Sequence, residues 1–272
     1  METTTQPAEL VTTTSKDGTA IGLWKTGSGP SLLAVHGTGA DHTAWDSVVP
    51  FLAGAFTVYA MDRRGRGGSG DGDPYAIERE FEDVVAAVDA VPGPVHLYGH
   101  SFGGLCVLEA ARLTDRLASL SIYEGGGTKP RGMRFIPDEF IAQFEQLVAA
   151  GRRDEAVSTF MLKAAGVTPE ELPVLRAHPA WPARVAAAHT IPRELRAINE
   201  YGADGTRFAG LRPPTLLIAG SETDPSRREM FEGVARMLPN ARVAELPGQR
   251  HAAHQTAPEL LAATLREFIG SV

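Results

Sequence analysis

The stretch Gly99-His100-Ser101-Phe102-Gly103-Gly104 decides the reading of this chain. It joins two segments of opposite habit. Residues 95–98 read as a short buried strand, and residues 105–113 read as a helix. A serine flanked by glycines two positions away on either side, at a strand-to-helix corner, has the form of a nucleophile elbow. Such a turn is tight, glycines keep neighbouring Cβ atoms away, and the following helix aims its first N–H groups at the same point. The expectation is a hydroxyl that projects from the C-terminal end of a strand into a cleft.

Similar strand-like runs occur on both sides of this corner. Residues 32–35, 57–61, 120–123 and 215–219 are short, continuous and apolar, and each ends in glycine, an acid or a turn cluster. Runs of this kind suit a parallel sheet covered on both faces. Between them, Phe81, Val84, Val85 and Val88 fall at helical spacing, as do Leu261, Leu265 and Phe268 near the C-terminus. Residues 9–14 and 20–26, with Asp17-Gly18 between them, predict an antiparallel hairpin. The fold class is α/β, a mostly parallel central sheet with helices on both faces. The alternation stops between Gly125 and Phe208, where only helical segments occur, punctuated by Pro179, Pro182 and Pro192. There, Thr168-Pro169-Glu170-Glu171 has capping-box spacing. The chain therefore divides into a core of residues 1–128 and 206–272 and an inserted all-helical lid of residues 129–205.

Composition narrows the function classes. The chain has 272 residues, 43% of them hydrophobic, enough for one large domain with an insertion. The net charge of -7 and the lack of any basic block beyond Arg63-Arg64-Gly65-Arg66 argue against a nucleic-acid partner. The single cysteine, Cys106, cannot form an internal disulfide and reads as a small core residue. No signal-like N-terminus and no membrane-length apolar run is present, so the expectation is a cytoplasmic protein with no membrane contact. The sequence does not define an oligomeric state.

A serine hydroxyl needs a base to become a good nucleophile, and the base should be a histidine oriented by a carboxylate. Of eight histidines, His251 follows a strand-like run at 242–246 and precedes the last helix; His254 is its nearest rival. His96 and His100 read as structural, and His178 and His189 as lid residues. No histidine pair has metal-ligand spacing, so neither a metal nor a cofactor is expected.

Four motifs in order, His36-Gly37-Thr38-Gly39, Asp62-Arg63-Arg64-Gly65-Arg66-Gly67-Gly68-Ser69, the serine corner, and Gly248-Gln249-Arg250-His251, resemble those of the α/β-hydrolase family over nearly the whole chain. The resemblance implies that Ser101 is the nucleophile, that His251 is the base, and that the backbone N–H groups of Thr38 and Phe102 form the oxyanion hole. The arginine-rich second motif reads as a structural turn. Trp45 and Phe102 are candidates either to line the pocket or to pack in the core.

The sequence departs from the family pattern at the acid. Most members carry an aspartate after the seventh strand, three residues past a glycine, where this chain has Thr223. Asp224 lies one residue later and Glu222 one earlier. Some members carry the acid after the sixth strand, where this chain reads Tyr123-Glu124-Gly125-Gly126-Gly127. A carboxylate aimed into a cleft from an apolar strand end is costly to leave unpaired, which favours Glu124, with Asp224 as the alternative.

The expected function is a serine hydrolase that cleaves a carboxylic ester or thioester of a small apolar or aromatic substrate through an acyl-enzyme on Ser101. Alternatives on the same residues are carbon–carbon bond hydrolysis, perhydrolysis, and biosynthetic acyl transfer or cyclisation. A ligand receptor without catalysis would not need an armed serine. A lipase would want an apolar exposed lid face, and this lid is rich in Glu and Arg.

Overall fold

The apolar runs assemble into one sheet. The computed structural model describes residues 8–126, 134–202 and 205–272. Its eight strands are β1 (Glu9–Thr14), β2 (Ala20–Gly27), β3 (Ser31–Val35), β4 (Thr57–Met61), β5 (Val95–His100), β6 (Leu117–Tyr123), β7 (Thr215–Gly220) and β8 (Ala241–Leu246). They lie in the order β1-β2-β4-β3-β5-β6-β7-β8. The predicted β1–β2 hairpin is antiparallel, β2 runs antiparallel to β4, and every other pair is parallel.

Successive side chains on a strand point to opposite faces, and both faces are buried. On β3, Leu33 and Val35 join the layer that holds the helices Ile77–Ala90 and Phe102–Ala110. Leu32 and Ala34 face the other way, toward the C-terminal helix Pro258–Ile269. The helix after the serine begins at Phe102 and ends at Ala110, earlier at both ends than the apolar pattern predicts. Gly103 and Gly104, which interrupt that pattern, sit inside the helix. A Cβ on Gly103 would lie 2.3 Å from the Val35 carbonyl oxygen, so close backbone approach rather than helix propensity sets this residue.

Between β6 and β7 the described chain is helical, with helices Asp138–Ala149, Arg153–Lys163, Leu172–Ala177, Trp181–Ala186 and Ile191–Glu200. This insertion has its own apolar core, including Ile141, Phe144, Val157 and Leu195. The capping box forms: Thr168 N–H donates to Glu171 Oε2 at 2.8 Å and Glu171 N–H to Thr168 Oγ1 at 3.3 Å. The expected boundary at 128/129 lies outside the described residues. No helix among the described residues is long and apolar enough to cross a membrane.

Buried ion pairs fasten the insertion to the core. Arg63 donates two hydrogen bonds to Glu80, at 2.7 and 3.0 Å, and a third to Glu194 of the inserted helix at 3.3 Å. Arg66 also pairs with Glu194. Arg64 grips Asp83 through two 2.7 Å contacts. The side chains of Arg63, Glu80, Glu194, Arg64 and Asp83 are all fully buried. The second motif is thus a hub of buried guanidinium groups, each held by carboxylates.

Removing one member of such a network leaves a charge buried without compensation. Glu194→Ala is expected to lower stability by about 3–5 kcal/mol in urea unfolding. A loss below about 1 kcal/mol, typical of a surface pair, would contradict this role.

Candidate active site

Ser101 closes β5 with φ 54° and ψ -121°, outside the regions that non-glycine residues favour. The turn is fixed by its neighbours: Ser101 N–H donates to the Tyr123 carbonyl at 3.0 Å, and Leu105 N–H donates to the Ser101 carbonyl at 3.3 Å. At the end of β6, a Cβ on Gly125 would lie 2.2 Å from the Ser101 carbonyl oxygen. Gly103 and Gly125 therefore allow backbone to pack against backbone, rather than simply clearing space around the hydroxyl. Phe102 opens the helix, so its N–H has no intrahelical acceptor and faces the same corner. The Phe102 ring points away into the core, with the Arg63 guanidinium 4.3 Å from its centroid. Trp45 also packs in the core, against Tyr98 and His254.

His251 lies on the loop after β8, and Glu124 lies directly after β6. His251 Nδ1 and Glu124 Oε2 are 2.8 Å apart, with the two side chains 12% and 1% exposed. Glu124 Oε1 accepts from Gly220 N–H at 3.0 Å and from the Thr223 hydroxyl. Burial raises the Glu124 carboxyl pKa, but the hydrogen bonds and charge of His251, with those of Thr223 and Gly220, outweigh it and hold the group below its ordinary value. An ionised Glu124 can only accept, so His251 Nδ1 carries a proton and Nε2 is left as the acceptor. Like Ser101, Glu124 has a positive φ, 43°.

The other two acids lie elsewhere. Asp224 is exposed at the start of the helix Pro225–Met237, where its carbonyl accepts from Arg228 N–H at 2.9 Å. Glu222 is exposed and pairs with Arg250 at 3.6 Å. Thr223 occupies the place where most of the family carries its acid, and it donates to the glutamate from the neighbouring strand. Its positioning role follows from β6 and β7 being paired neighbours, which no local pattern reveals.

Two further residues hold the loops. His100 is buried, and burial and the imidazoles of His251 and His254 push its pKa well below the ordinary value. It stays neutral and donates from Nε2 to the His251 carbonyl at 2.8 Å. The Tyr123 hydroxyl donates to the Arg250 carbonyl and accepts from Ala253 N–H at 3.2 Å. On the opposite side, His36 Nε2 accepts from Arg63 N–H at 3.2 Å, which fixes the origin of the loop that carries Thr38.

Thr38, Ser101 and His251 from the core and Phe160, Met161 and Arg184 from the insertion line one cavity. The cavity volume is about 40 Å³. Among the described residues, one group could hold a cation by proximity, Asp41, His42 and Asp62. Several of its polar atoms already have protein partners. Asp62 accepts from His42 Nδ1 at 2.9 Å, Trp24 Nε1 at 2.7 Å and Gly68 N–H at 2.7 Å, while Asp41 accepts from Thr43 N–H at 3.0 Å. The donor set fits a hydrogen-bonded turn better than a metal centre.

Residues 32–264 match the model of the alpha/beta hydrolase family, and the chain belongs to that family. An α/β hydrolase from Sphaerobacter thermophilus shares 34% identity and superposes with a TM-score of 0.81, covering 96% of this chain and 99% of that one. A pimeloyl-[acyl-carrier protein] methyl ester esterase from Methylococcus capsulatus is 29% identical over 268 residues, 90% of this chain and 96% of its own length. EphD of Mycobacterium tuberculosis is 36% identical over 135 residues, which span 46% of this chain and only 22% of EphD.

The lowered pKa of Glu124 has a consequence for stability. Its ionised form contributes fully above its unfolded value near 4.5, and the contribution drains away as pH falls through the lower folded value. Unfolding free energies measured from about pH 6 down to about pH 3 should fall less steeply in Glu124→Gln than in the wild type. Parallel curves would contradict the pairing.

Proposed function

We propose that the protein is a serine hydrolase that cleaves a carboxylic ester or thioester of a compact substrate. Ser101 Oγ attacks the carbonyl carbon and His251 Nε2 takes its proton. Glu124 holds the imidazole in the required tautomer and stabilises the imidazolium. The N–H groups of Phe102 and Thr38 donate to the oxyanion. As the tetrahedral intermediate collapses, the imidazolium gives its proton to the departing alcohol or thiol, which leaves an acyl group on Ser101. A water, deprotonated by the same imidazole, then hydrolyses the acyl-enzyme and regenerates the serine. Residues 129–205 act as the lid over this site.

The observation that carries the reading is the 2.8 Å contact between His251 Nδ1 and an ionised, buried Glu124, on a cavity that also receives Ser101. A side chain held in a positive-φ turn costs stability, and a purely structural site has no use for it. Similarity to a methyl ester esterase of Methylococcus capsulatus supports ester chemistry. The small cavity supports a compact group at the reacting end, with the lid excluding bulk water.

Turnover of a short-chain aryl ester tests the assignment. Glu124→Gln should lose on the order of 10²–10⁴ in kcat, and Asp224→Asn should stay within about twofold of wild type. Near-normal turnover in Glu124→Gln, or a collapse confined to Asp224→Asn, would move the acid to the other strand.

A further inference from the structure

Four buried arginines lie near the junction of core and insertion, and one of them differs in kind. Arg63, Arg64 and Arg66 each meet a carboxylate. Arg184, on the inserted helix Trp181–Ala186, is 7% exposed and lines the cavity that receives Ser101. Its recorded hydrogen bond runs from Nη1 to the Gly39 carbonyl at 3.3 Å. Among the described residues no carboxylate lies within ion-pair distance of it. Asp41, the one acid whose charge it feels, is engaged with Thr43.

A buried guanidinium with one long hydrogen bond to a carbonyl is costly, because several of its five donors lack an anion. The folding argument that explains Arg63, Arg64 and Arg66 does not explain Arg184. Asp41 is the one acid whose charge acts on it, and the neighbouring imidazoles of His100 and His254 are held neutral by burial. Among the described residues no aspartate or glutamate lines the cavity, whereas His254 does, 3% exposed; its Nδ1 is buried and has no hydrogen-bond partner. Burial followed by the charge of Arg184 pushes His254 well below its ordinary pKa, so it is a neutral imidazole able to donate one hydrogen bond. Burial likewise lowers Arg184, to about 10, and it remains charged at neutral pH.

We propose that Arg184 and His254 form an anion subsite in the cavity, and that the substrate carries a carboxylate a short chain away from its scissile ester. This rests on the serine hydrolase reading for the identity of the reacting bond, but the subsite itself is defined without it. The fork of Arg184 suits the two oxygens of a carboxylate. The substrate class is then a half-ester or half-thioester of a short dicarboxylic acid. The Gly39 contact gives Arg184 an alternative role as a tether for the loop that carries Thr38, and the test separates the two.

The test compares aryl monoesters of succinate and glutarate with neutral aryl butyrate and pentanoate. The wild type should prefer the anionic esters in kcat/KM, and Arg184→Gln and Arg184→Lys should reduce that preference, Gln by about 10- to 100-fold. A tether alone would lower both ester classes together, and that equal loss would overturn the subsite. Calorimetry on Ser101→Ala supplies a reading free of turnover: glutarate should bind more tightly than inorganic phosphate, and binding should weaken when Arg184→Gln is added. If phosphate binds better, the carboxylate class is wrong. If Ser101→Ala still hydrolyses esters but binds glutarate through Arg184, the nucleophile assignment fails and the subsite stands. Should the Arg184 variants not fold, a wild type without preference for the anionic esters would still overturn the proposal.

Discussion

The architecture depends on how closely three strand ends approach one another. β3, β5 and β6 are paired neighbours, and their C-terminal ends meet where Ser101 turns into its helix. Gly103 lies against the Val35 carbonyl and Gly125 against the Ser101 carbonyl, at separations that no Cβ would permit. This contact holds Ser101 and Glu124 in positive-φ conformations, each at a cost of about 1–3 kcal/mol. The surrounding sheet absorbs that cost because its strands are covered on both faces and have little freedom to relax. The same convergence brings a residue of β6 to a histidine that follows β8.

Charge is arranged in two layers around this centre. The outer layer is paired with carboxylates: Arg63 and Arg66 meet Glu194, which ties the insertion to the core, and Arg64 meets Asp83 within the core. The inner layer is partly open. Glu124 and His251 satisfy each other, while Arg184 and the imidazole of His254 face the cavity without an anion. A protein that pairs its buried guanidinium groups so thoroughly elsewhere gains nothing in stability from leaving one unmatched, which is why the open position reads as a place for a ligand.

Much of this was legible in the sequence, and the limits have physical causes. Continuous apolar runs identified the parallel strands because burial on both faces leaves no polar alternation to confuse them. The elbow was legible because its constraint is local: a tight strand-to-helix turn requires its glycines within a few residues of the serine. The acid was not decided, because β6 and β7 are adjacent and parallel, and both deliver a carboxylate to the same end of the sheet. Only register and side-chain direction separate Glu124, turned inward, from Asp224, exposed at the start of a helix. Thr223 was visible as an interrupted family position, but its hydrogen bond to Glu124 joins residues 99 apart in sequence. Arg184 and Glu194 gave no signal at all. Charged residues in helical segments normally face solvent, and the Glu- and Arg-rich insertion reads as a polar surface until its packing reverses these two.

The most direct measurement of the central claim is the covalent reaction of Ser101 itself. A fluorophosphonate probe applied to the folded wild-type protein, followed by peptide mass spectrometry, should give one adduct on Ser101 that is absent from Ser101→Ala and strongly reduced in His251→Ala. An unlabelled Ser101 in folded protein, with a probe small enough to enter the cavity, would mean that the hydroxyl is not activated and would contradict the account.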